Sequence, residues 1–315
     1  LSSTPTIRLS DVVAVGEATI VYDREGNEID QYVSTNSNRL SVGMDEIPDY
    51  LGKAFVAIED ERFYQHNGID FKSIIRAGYQ FFKTGGEEAQ GASTITQQLL
   101  KNTVFTDWTS EGNNKIKKIK RKIQEQYLAL EITKYYSKDE ILLRYMNAIN
   151  LGQNTLGVES ASLRYFGKHC SELTISECAV IASITQNPSK YNPIRHPEEN
   201  VKRREKCLNK MLELGFISQT QYDEAMADTD AVYERIGLYD IDYQEANATT
   251  GSYFSDAVYE QVKQDLILSG YNENMAETLL TSGGLRVEST LDPKIQAILN
   301  EEYADPSNYP ENVKW

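Results

Sequence analysis

Two neighbouring acids that follow an apolar stretch are the first residues suited to acid–base chemistry. Glu59 and Asp60 come directly after the apolar residues 54–58. A carboxylate that lies beside apolar side chains loses part of its hydration, which makes it a better proton acceptor. Glu59 is therefore a candidate general base. The alternative is an ordinary helix end whose acids face water.

A strongly basic segment could bind an anion. Six of the eight residues at 115–122 are lysine or arginine, although the whole chain carries a formal charge of −15. Like charges at helical spacing repel one another, and a bound phosphate, a pyrophosphate or an anionic membrane surface would offset that cost. The alternative is the solvated face of a surface helix.

Helical periodicity divides this segment, over about residues 115–134, into two faces. At about 100° per residue, an arc of about 80° holds five apolar residues, which are Ile116, Ile119, Ile123, Tyr127 and Leu130. The opposite side holds Lys118, Arg121, Lys122 and Glu125. We expect that polar side to face solvent.

Residues 91–99 combine small residues with hydroxyl and amide side chains. Their sequence is GASTITQQL, and Lys101 follows shortly after. Small residues let the backbone approach a ligand closely, and neutral donors and acceptors suit a sugar. The alternative is the start of a helix with Ser93 as its N-cap.

The elements that would position these segments are mostly helices. Strand-like residues at 18–22 and 28–33 flank a turn and predict a β-hairpin. Asp70 predicts the cap of a helix that ends at Gly85 and Gly86. Capping boxes, in which a hydroxyl and an acid or amide three residues later satisfy free backbone amides, predict three further helix starts. They are Ser137/Glu140, Thr174/Glu177 and Ser218/Gln221.

These signals divide the 315 residues into three parts. We predict a β/linker segment at residues 1–40, a mostly helical domain at 41–228, and a connection with the start of a further domain at 229–315. Between residues 223 and 245 eight acids face one base, which is typical of a surface connection. The later part predicts a helix near 253–268, an alternating stretch at 285–291 and a helix from Asp292 and Pro293.

Composition argues against several classes of protein. With 47 acids against 32 bases, a general nucleic-acid binder is not expected. Cys170, Cys178 and Cys207 form no CxxC pair, and the chain has three histidines, so a Cys/His zinc site is not expected either. No apolar run approaches the ~20 residues that a membrane span needs.

Taken together, these segments resemble the peptidoglycan glycosyltransferase domain of bifunctional class A penicillin-binding proteins. Five motifs carry the resemblance, in the family's order and approximate spacing: EDERFYQHNGID at 59–70, GASTITQQLLKN at 91–102, RKIQE at 121–125, ILLRYMNAINLGQNTLGVESASLRYFGK at 141–168 and AVIASITQNPSKYNP at 179–193. The resemblance covers about residues 40–225. Asn150 departs from it, because the family usually has an aromatic residue before this Leu-Gly pair.

The resemblance implies a mainly α, lysozyme-like helical domain with a small membrane-facing lobe and short β segments at both flanks. It implies an enzyme that polymerises lipid II into glycan strands. The GlcNAc 4-hydroxyl of one molecule attacks the MurNAc anomeric carbon of a lipid-linked chain, with inversion and release of undecaprenyl pyrophosphate. The alternatives are a lysozyme-like peptidoglycan hydrolase or lytic transglycosylase, which needs no pyrophosphate site, and a non-enzymatic wall-binding fragment.

The resemblance also assigns roles to residues. Glu59 corresponds to the catalytic base, and Glu125 to a second catalytic carboxylate near the departing pyrophosphate. The residues expected at the substrate are Asp60, Phe63, His66, Ser93, Thr94, Gln97, Gln98, Lys101, Lys118, Arg121 and Lys122. No cofactor or metal ligand is assigned with certainty, although a divalent cation (Mg²⁺ or Mn²⁺) would be compatible with Glu125 beside a pyrophosphate.

Partners and location are implied by the same resemblance. The partners are lipid II with the growing lipid-linked strand, moenomycin-type inhibitors, a membrane surface, and a transpeptidase domain in the full-length protein, with no nucleic acid. The location is the outer face of the bacterial cytoplasmic membrane, with an N-terminal anchor helix that we expect outside this chain. Phe81, Phe82, Val104, Phe105 and Trp108 would dip into the bilayer, or alternatively pack the small lobe.

Overall fold

The computed structural model describes residues 19–32, 40–84, 91–105, 115–153, 155–239, 253–271 and 273–304. In these ranges the chain is mainly α-helical with short strands, which confirms the predicted fold class. The chain divides into two compact units. Unit 1 takes its described residues from 40–239, and unit 2 takes them from 19–32 and 253–304.

Unit 1 is a helical assembly. Its helices are α1 Asp49–Glu59, α2 Phe71–Lys83, α3 Ile95–Thr103, α4 Lys115–Ile132, α5 Lys138–Ala148, α6 Val158–Phe166, α7 Ile175–Ala182, α8 Pro197–Glu213, α9 Gln219–Ala227 and α10 Thr229–Glu234. All three predicted capping boxes are present, at the starts of α5, α7 and α9. None of the helices in the described ranges is both long enough and apolar enough to cross a membrane.

Helix α1 lies at the centre of the unit 1 core. Its residues Leu51, Ala54 and Phe55 are fully buried, and it packs against α7 and α8. The Phe55 ring meets Tyr145 of α5 edge-on, with the ring centroids 5.7 Å apart. A helix that is apolar on several sides gains stability by burial from each of them. Because α1 ends at Glu59, this packing fixes the point from which the Glu59 side chain extends.

The turn that follows α1 lies directly against α4. Gly68 has φ of +89°, and a Cβ atom there would come within 2.2 Å of the Ala129 carbonyl oxygen. A side chain therefore does not fit, and glycine also tolerates the positive φ. Thr133 adds a hydrogen bond to the carbonyl oxygen of Asn67 at 3.2 Å. The turn and α4, which carries Glu125, are thus held together.

Unit 2 is a small sheet with helices. Strands β1 Thr19–Tyr22 and β2 Glu28–Tyr32 form the predicted antiparallel hairpin, and β3 Arg286–Glu288 pairs parallel with β1, so the order is β2-β1-β3. Its helices are α11 Tyr253–Leu268, α12 Glu273–Ser282 and α13 Pro293–Ala304. The hairpin and strand β3, which the sequence pattern assigned to separate segments, therefore share one sheet.

Helical structure continues past residue 228, where the sequence predicted the end of the helical domain. Helix α10 follows α9 directly, and its Val232 is fully buried. Arg235 pairs with Asp228 at 2.7 Å and with Glu177 at 3.3 Å. Asp228 and Glu177 thus form ion pairs with the same arginine, although they are far apart in the sequence. A count of charges along the chain does not reveal such pairs. The rest of the acidic connection, from residue 240, lies outside the described residues.

Two of the five residues expected at the membrane have described side chains. Val104 and Phe105 are partly buried and pack against Leu100, Leu128 and Ile132. Val104 and Phe105 therefore agree with the alternative in which these residues pack against the protein. Trp108 and the side chains of Phe81 and Phe82 lie outside the described part of the structure.

Candidate active site

A cavity of about 1160 Å³ opens in unit 1 where α1 ends. Its lining contains most of the residues singled out from sequence, namely Glu59, Asp60, Ser93, Thr94, Gln97, Gln98, Lys101, Lys122 and Glu125. Three segments that are separate in the chain therefore meet at one site. Phe63, His66, Lys118 and Arg121 do not belong to this lining.

Glu59 is held by three donors. Its Oε1 accepts hydrogen bonds from Thr185 Oγ1 at 2.5 Å and from Arg203 Nη2 at 2.6 Å, and its Oε2 accepts one from Gln98 Nε2 at 2.9 Å. The Glu59 side chain is 10% exposed. A carboxylate with this set of donors has a fixed orientation at the cavity wall.

A buried tyrosine orients the amide that contacts Glu59. Burial, with the negative charge of Glu59 adding to it, raises the pKa of Tyr145 well above its usual range, so its hydroxyl stays protonated. That hydroxyl donates to Gln98 Oε1 at 3.1 Å. The Gln98 amide nitrogen is thereby turned toward Glu59. These two hydrogen bonds join α5, α3 and the end of α1.

Asp60 is committed to holding the backbone. Its carboxylate accepts hydrogen bonds from the Ile95 amide at 3.0 Å and from His66 Nε2 at 2.9 Å. The Gly68 amide donates to His66 Nδ1 at 3.1 Å, so the proton of the neutral ring lies on Nε2. The carboxylate also lies at the N-terminus of α3, where the helix dipole favours a negative charge. Asp60 and His66 therefore tie the first motif to the start of the second.

Phe63 belongs to the core. It is fully buried, and the ammonium group of Lys138 lies 4.4 Å from its ring centroid. Burial lowers the pKa of Lys138, while the negative charge of Asp60 opposes that shift. A cation over an aromatic face is stabilised by the ring's quadrupole. Phe63 therefore packs in the core beneath Lys138, whereas the resemblance placed it among the residues expected at the substrate.

The helix of the second motif has its N-cap one residue later than Ser93, which was the N-cap that the sequence predicted as the alternative. Thr94 is the N-cap of α3: its hydroxyl accepts from the Gln97 amide at 3.2 Å, and Gln97 Oε1 accepts from the Thr94 amide at 3.1 Å. The Thr94 hydroxyl also donates to the Gly68 carbonyl at 2.7 Å. Because Thr94 is the cap, the Ser93 hydroxyl is left for the cavity, where it accepts from Lys122 Nζ at 2.7 Å.

Two residues of the polar face of α4, Lys122 and Glu125, line the cavity, so the expectation that this face points to solvent fails at these two positions. Glu125 is fully buried and pairs with Arg121 and with Lys122, the latter at 2.9 Å. The apolar face is the exposed one: Ile116 is 79% exposed and Ile119 is 61% exposed. Lys118 is exposed as well. Periodicity defined the two faces correctly but not which of them meets the rest of the protein.

Helix α8 adds cations that the sequence patterns missed. Arg203, Lys206 and Lys210 line the cavity, and Thr185 reaches it from the turn after α7. Lys210 and Arg76 pair with Glu61 at 3.5 Å and 2.9 Å, and the hydrogen bond from Arg76 lowers the pKa of Glu61. A basic run at 202–206 was visible in the sequence. Nothing in its spacing connected it to Glu59.

Asn150, which departs from the family pattern, also lines the cavity. Its Oδ1 accepts a hydrogen bond from the Gly152 amide at 2.9 Å. The side chain therefore stabilises the turn at Gly152, and it brings a polar group where the family usually has an aromatic ring.

The described residues offer no ready-made metal site. No group of three or more His, Cys, Asp or Glu side chains among them converges. Glu125 is already neutralised by two cations on its own helix. The donor set does not fit a resident divalent cation.

The family model for transglycosylases matches residues 25–212. The chain therefore belongs to the transglycosylase family, and it is a peptidoglycan glycosyltransferase domain of the kind found in class A penicillin-binding proteins. This confirms the resemblance carried by the five motifs.

Relatives with curated names agree with the family. Penicillin-binding protein 1A of Clostridium perfringens is 38% identical over 98% of this chain and 37% of its own length. Penicillin-binding protein 1F of Bacillus subtilis is 36% identical over 92% of this chain and 37% of its own length. A crystal structure of Penicillin-Binding Protein 1A from Haemophilus influenzae aligns with 91% of this chain and 29% of its own, at 22% identity and a TM-score of 0.36. This chain thus spans little more than a third of the length of these curated relatives.

Proposed function

We propose that this chain polymerises lipid II into glycan strands, with inversion at the anomeric carbon and release of undecaprenyl pyrophosphate. The observation that carries the proposal is that one cavity is lined by the carboxylate of Glu59 and also by Glu125 and the cation Lys122, which pairs with it. Glycosyl transfer from a pyrophosphate needs a proton acceptor for the incoming hydroxyl and positive charge for the leaving group. Both are available in this cavity.

Glu59 acts as the general base in this mechanism. The 4-hydroxyl of the acceptor sugar donates to Glu59 and loses its proton as it attacks the anomeric carbon of the donor. Gln98 and Thr185 hold the carboxylate in place, so that the hydroxyl meets a preorganised acceptor. Asp60, His66 and Phe63 act indirectly, because they fix the turn after Glu59.

The cations of α3 and α4 stabilise the leaving pyrophosphate. Lys101 and Lys122 line the cavity, and Arg121 pairs with Glu125 behind them. Negative charge on the departing oxygens grows in the transition state, where fixed cations lower its energy. Glu125 holds Arg121 and Lys122 in orientation until the pyrophosphate competes for them. Ser93 supplies a neutral hydroxyl near the sugar, and Thr94 and Gln97 hold the start of α3 beside it.

A peptidoglycan hydrolase or lytic transglycosylase is the competing function. Such an enzyme would use Glu59 as a general acid and would have no need for cations around Glu125. Incubating the wild-type protein with lipid II separates the two functions. We expect β-linked glycan polymer with release of undecaprenyl pyrophosphate and no digestion of preformed glycan. Digestion without polymer would favour the hydrolase.

Membrane association of unit 1 follows from its exposed apolar side chains. Ile116, Ile119, Ile123 and Tyr127 of α4 are between 46% and 79% exposed. Lys118 and Lys120 are exposed near them on the same helix. Apolar side chains beside lysines suit the interface of an anionic membrane. We place the enzyme at the outer face of the bacterial cytoplasmic membrane, where its lipid-linked substrate resides.

The remaining partners are proposals that depend on the family. We propose that the full-length protein carries a transpeptidase domain that cross-links the strands made here, as the resemblance to bifunctional class A penicillin-binding proteins implies. Moenomycin-type inhibitors would bind the cavity beside Lys101 and Lys122, because their phosphate would replace the pyrophosphate of the donor.

A further inference from the structure

The two oxygens of the Glu59 carboxylate have different surroundings. Oε1 receives both Thr185 and Arg203, at 2.5 Å and 2.6 Å, whereas Oε2 receives Gln98 alone, at 2.9 Å, among the described residues. A carboxylate oxygen has two lone-pair positions. Oε1 is therefore fully occupied, and Oε2 keeps one position for a further donor.

Arg203 is itself fixed at three points. Besides Glu59, its Nη1 donates to Gln186 Oε1 at 2.8 Å, and its guanidinium lies 5.0 Å from the ring centroid of Tyr191. The side chains of Arg203 and Glu59 are each 10% exposed. A planar guanidinium held in this way presents its donors in one direction. The orientation of the Glu59 carboxylate is set by this anchor.

We propose that Arg203 is a positioning residue for the base, which occupies Oε1 of Glu59 and thereby directs the acceptor proton to Oε2. This inference rests on the proposed function. As the acceptor O–H bond breaks, its electron pair forms the new bond to the anomeric carbon, and the proton goes to Oε2. The bond from that carbon to the pyrophosphate oxygen breaks, and the leaving group takes both electrons. Arg203 stays bonded to Oε1 throughout.

The charge of Arg203 lies directly against the Glu59 carboxylate, with Nη2 and Oε1 2.6 Å apart. The other titratable groups that face Glu59 are Tyr145 of α5, Cys207 of α8 and its neighbour Asp60. Tyr145 and Cys207 stay neutral, since burial raises the pKa of each, that of Cys207 to about 12. Gln98 of α3 and Thr185 carry no charge. Arg203 is thus the cation in direct contact with Glu59 among the described residues.

The pH dependence of kcat/KM for lipid II polymerisation tests this assignment. In Arg203→Gln, loss of the cation makes Glu59 easier to protonate, so the acid limb should move to higher pH by about one to three units. Arg203→Lys keeps the charge and should move the limb by less than about one unit. Lys202→Gln is the matched control, because Lys202 is exposed on α8 and pairs with Glu199 at 2.8 Å. An unmoved limb in Arg203→Gln, or an equal shift in Lys202→Gln, overturns the proposal.

A second readout does not depend on turnover. The carboxyl carbon of Glu59 can be titrated by NMR in protein labelled with ¹³C-glutamate, with the signal assigned through its loss in Glu59→Gln. Its midpoint should rise in Arg203→Gln by the same shift as the kinetic limb. If the wild-type protein makes no polymer, the proposed function is contradicted. If the Glu59 midpoint still shifts in Arg203→Gln, the role of the contact between Arg203 and Glu59 is nevertheless supported.

Arg203→Lys covers the case in which Arg203→Gln does not fold. An ammonium on a flexible stem cannot hold Oε1 in one orientation, so kcat should fall at least about tenfold. The Glu59 midpoint should stay near that of the wild type. A wild-type kcat in Arg203→Lys would overturn the positioning role.

Discussion

At the scale of single residues, the two carboxylates of the cavity differ in how they are neutralised. Glu59 meets one cation and two neutral donors that come from other helices and turns. Glu125 meets two cations from its own helix, Arg121 and Lys122. Cations three and four residues from an acid are readily drawn to an anionic ligand, since the helix backbone does not have to move. This difference suits a base at Glu59 and a leaving-group site at Glu125.

Lys122→Met should lower kcat/KM for lipid II by about 100-fold, because it removes a cation aimed at the leaving group. Arg121 would still neutralise Glu125, so the fold should be retained. Lys202→Met is the control, since Lys202 is exposed on α8 and does not line the cavity. Steady-state kinetics and thermal unfolding of both variants check this. Equal losses in the two variants would show that general charge, rather than this site, matters.

Glu125→Gln should reduce kcat more than it changes KM. Charge on the leaving group develops mainly in the transition state, so a residue that organises the cations there contributes mainly to the rate. The two constants can be separated in a continuous polymerisation assay. An unchanged kcat would remove Glu125 from the mechanism.

Membership of the cavity lining was predictable where a motif carried the residue and not where the fold brought it there. Glu59 and Glu125 were identified from the sequence, and both line the cavity. Arg203 and Thr185 contact Glu59 from 144 and 126 residues away along the chain. Phe63 lies within the first motif, but burial gives it a packing role. No periodicity or spacing in a single sequence encodes such long-range contacts.

At the scale of elements, the helix starts were predicted well, but the side of α4 that faces the cavity was not. Capping boxes are local signals, so Ser137, Thr174 and Ser218 were sufficient to predict α5, α7 and α9. Which face of α4 is buried depends on what packs against it. Here Glu125 is directed inward by the cavity, and the isoleucines remain outside.

Gly68→Ala should separate the turn after α1 from α4. The new Cβ would overlap the Ala129 carbonyl oxygen, and the positive φ adds strain, so we expect a loss of at least about 3 kcal/mol in unfolding free energy. Activity should fall as well, because α4 carries Glu125. Gly215→Ala is the control: its φ is also positive, at +69°, but a Cβ there meets nothing within 4 Å. Chemical denaturation of both variants measures the difference, and equal costs would rule out the close contact as the cause.

Asp70 should stabilise α2 in a pH-dependent manner. Burial alone would raise the pKa of Asp70, but hydrogen bonds from the Ser73 amide and from Arg62 outweigh burial and lower it. A lowered pKa contributes stability above the ordinary value of 3.8, and that stability is lost as the pH falls through the folded-state value.

Asp70→Asn keeps a capping oxygen and removes the charge. The wild type should therefore be the more stable protein at neutral pH, and its advantage should shrink as the pH falls below 3.8. Urea denaturation over a series of buffers measures this. An advantage that does not change with pH would contradict the assignment.

At the scale of the whole molecule, apolar side chains are exposed on two helices of unit 1. On α2, Phe71, Ile75 and Tyr79 are 65% to 72% exposed, and α4 exposes its isoleucines. Exposed apolar groups of this number are typical of an interaction surface. The division into units was harder to predict, because β3 pairs with β1 across most of the chain.

Ile119→Ser combined with Ile123→Ser should weaken binding to phosphatidylglycerol vesicles by at least about tenfold, because each isoleucine contributes about 1.5–3 kcal/mol on burial. The control is Ile295→Ser combined with Ile298→Ser, which removes two comparably exposed isoleucines from α13 of unit 2. Co-sedimentation with vesicles measures both. Equal losses in the two double variants would argue against a membrane surface on α4.

Steady-state kinetics of Glu59→Gln with lipid II measure whether Glu59 takes the proton of the acceptor sugar. We expect kcat to fall by about 10²–10⁴-fold while KM changes little, since glutamine can occupy the same site without accepting a proton. A variant that polymerises lipid II at the wild-type rate would contradict it.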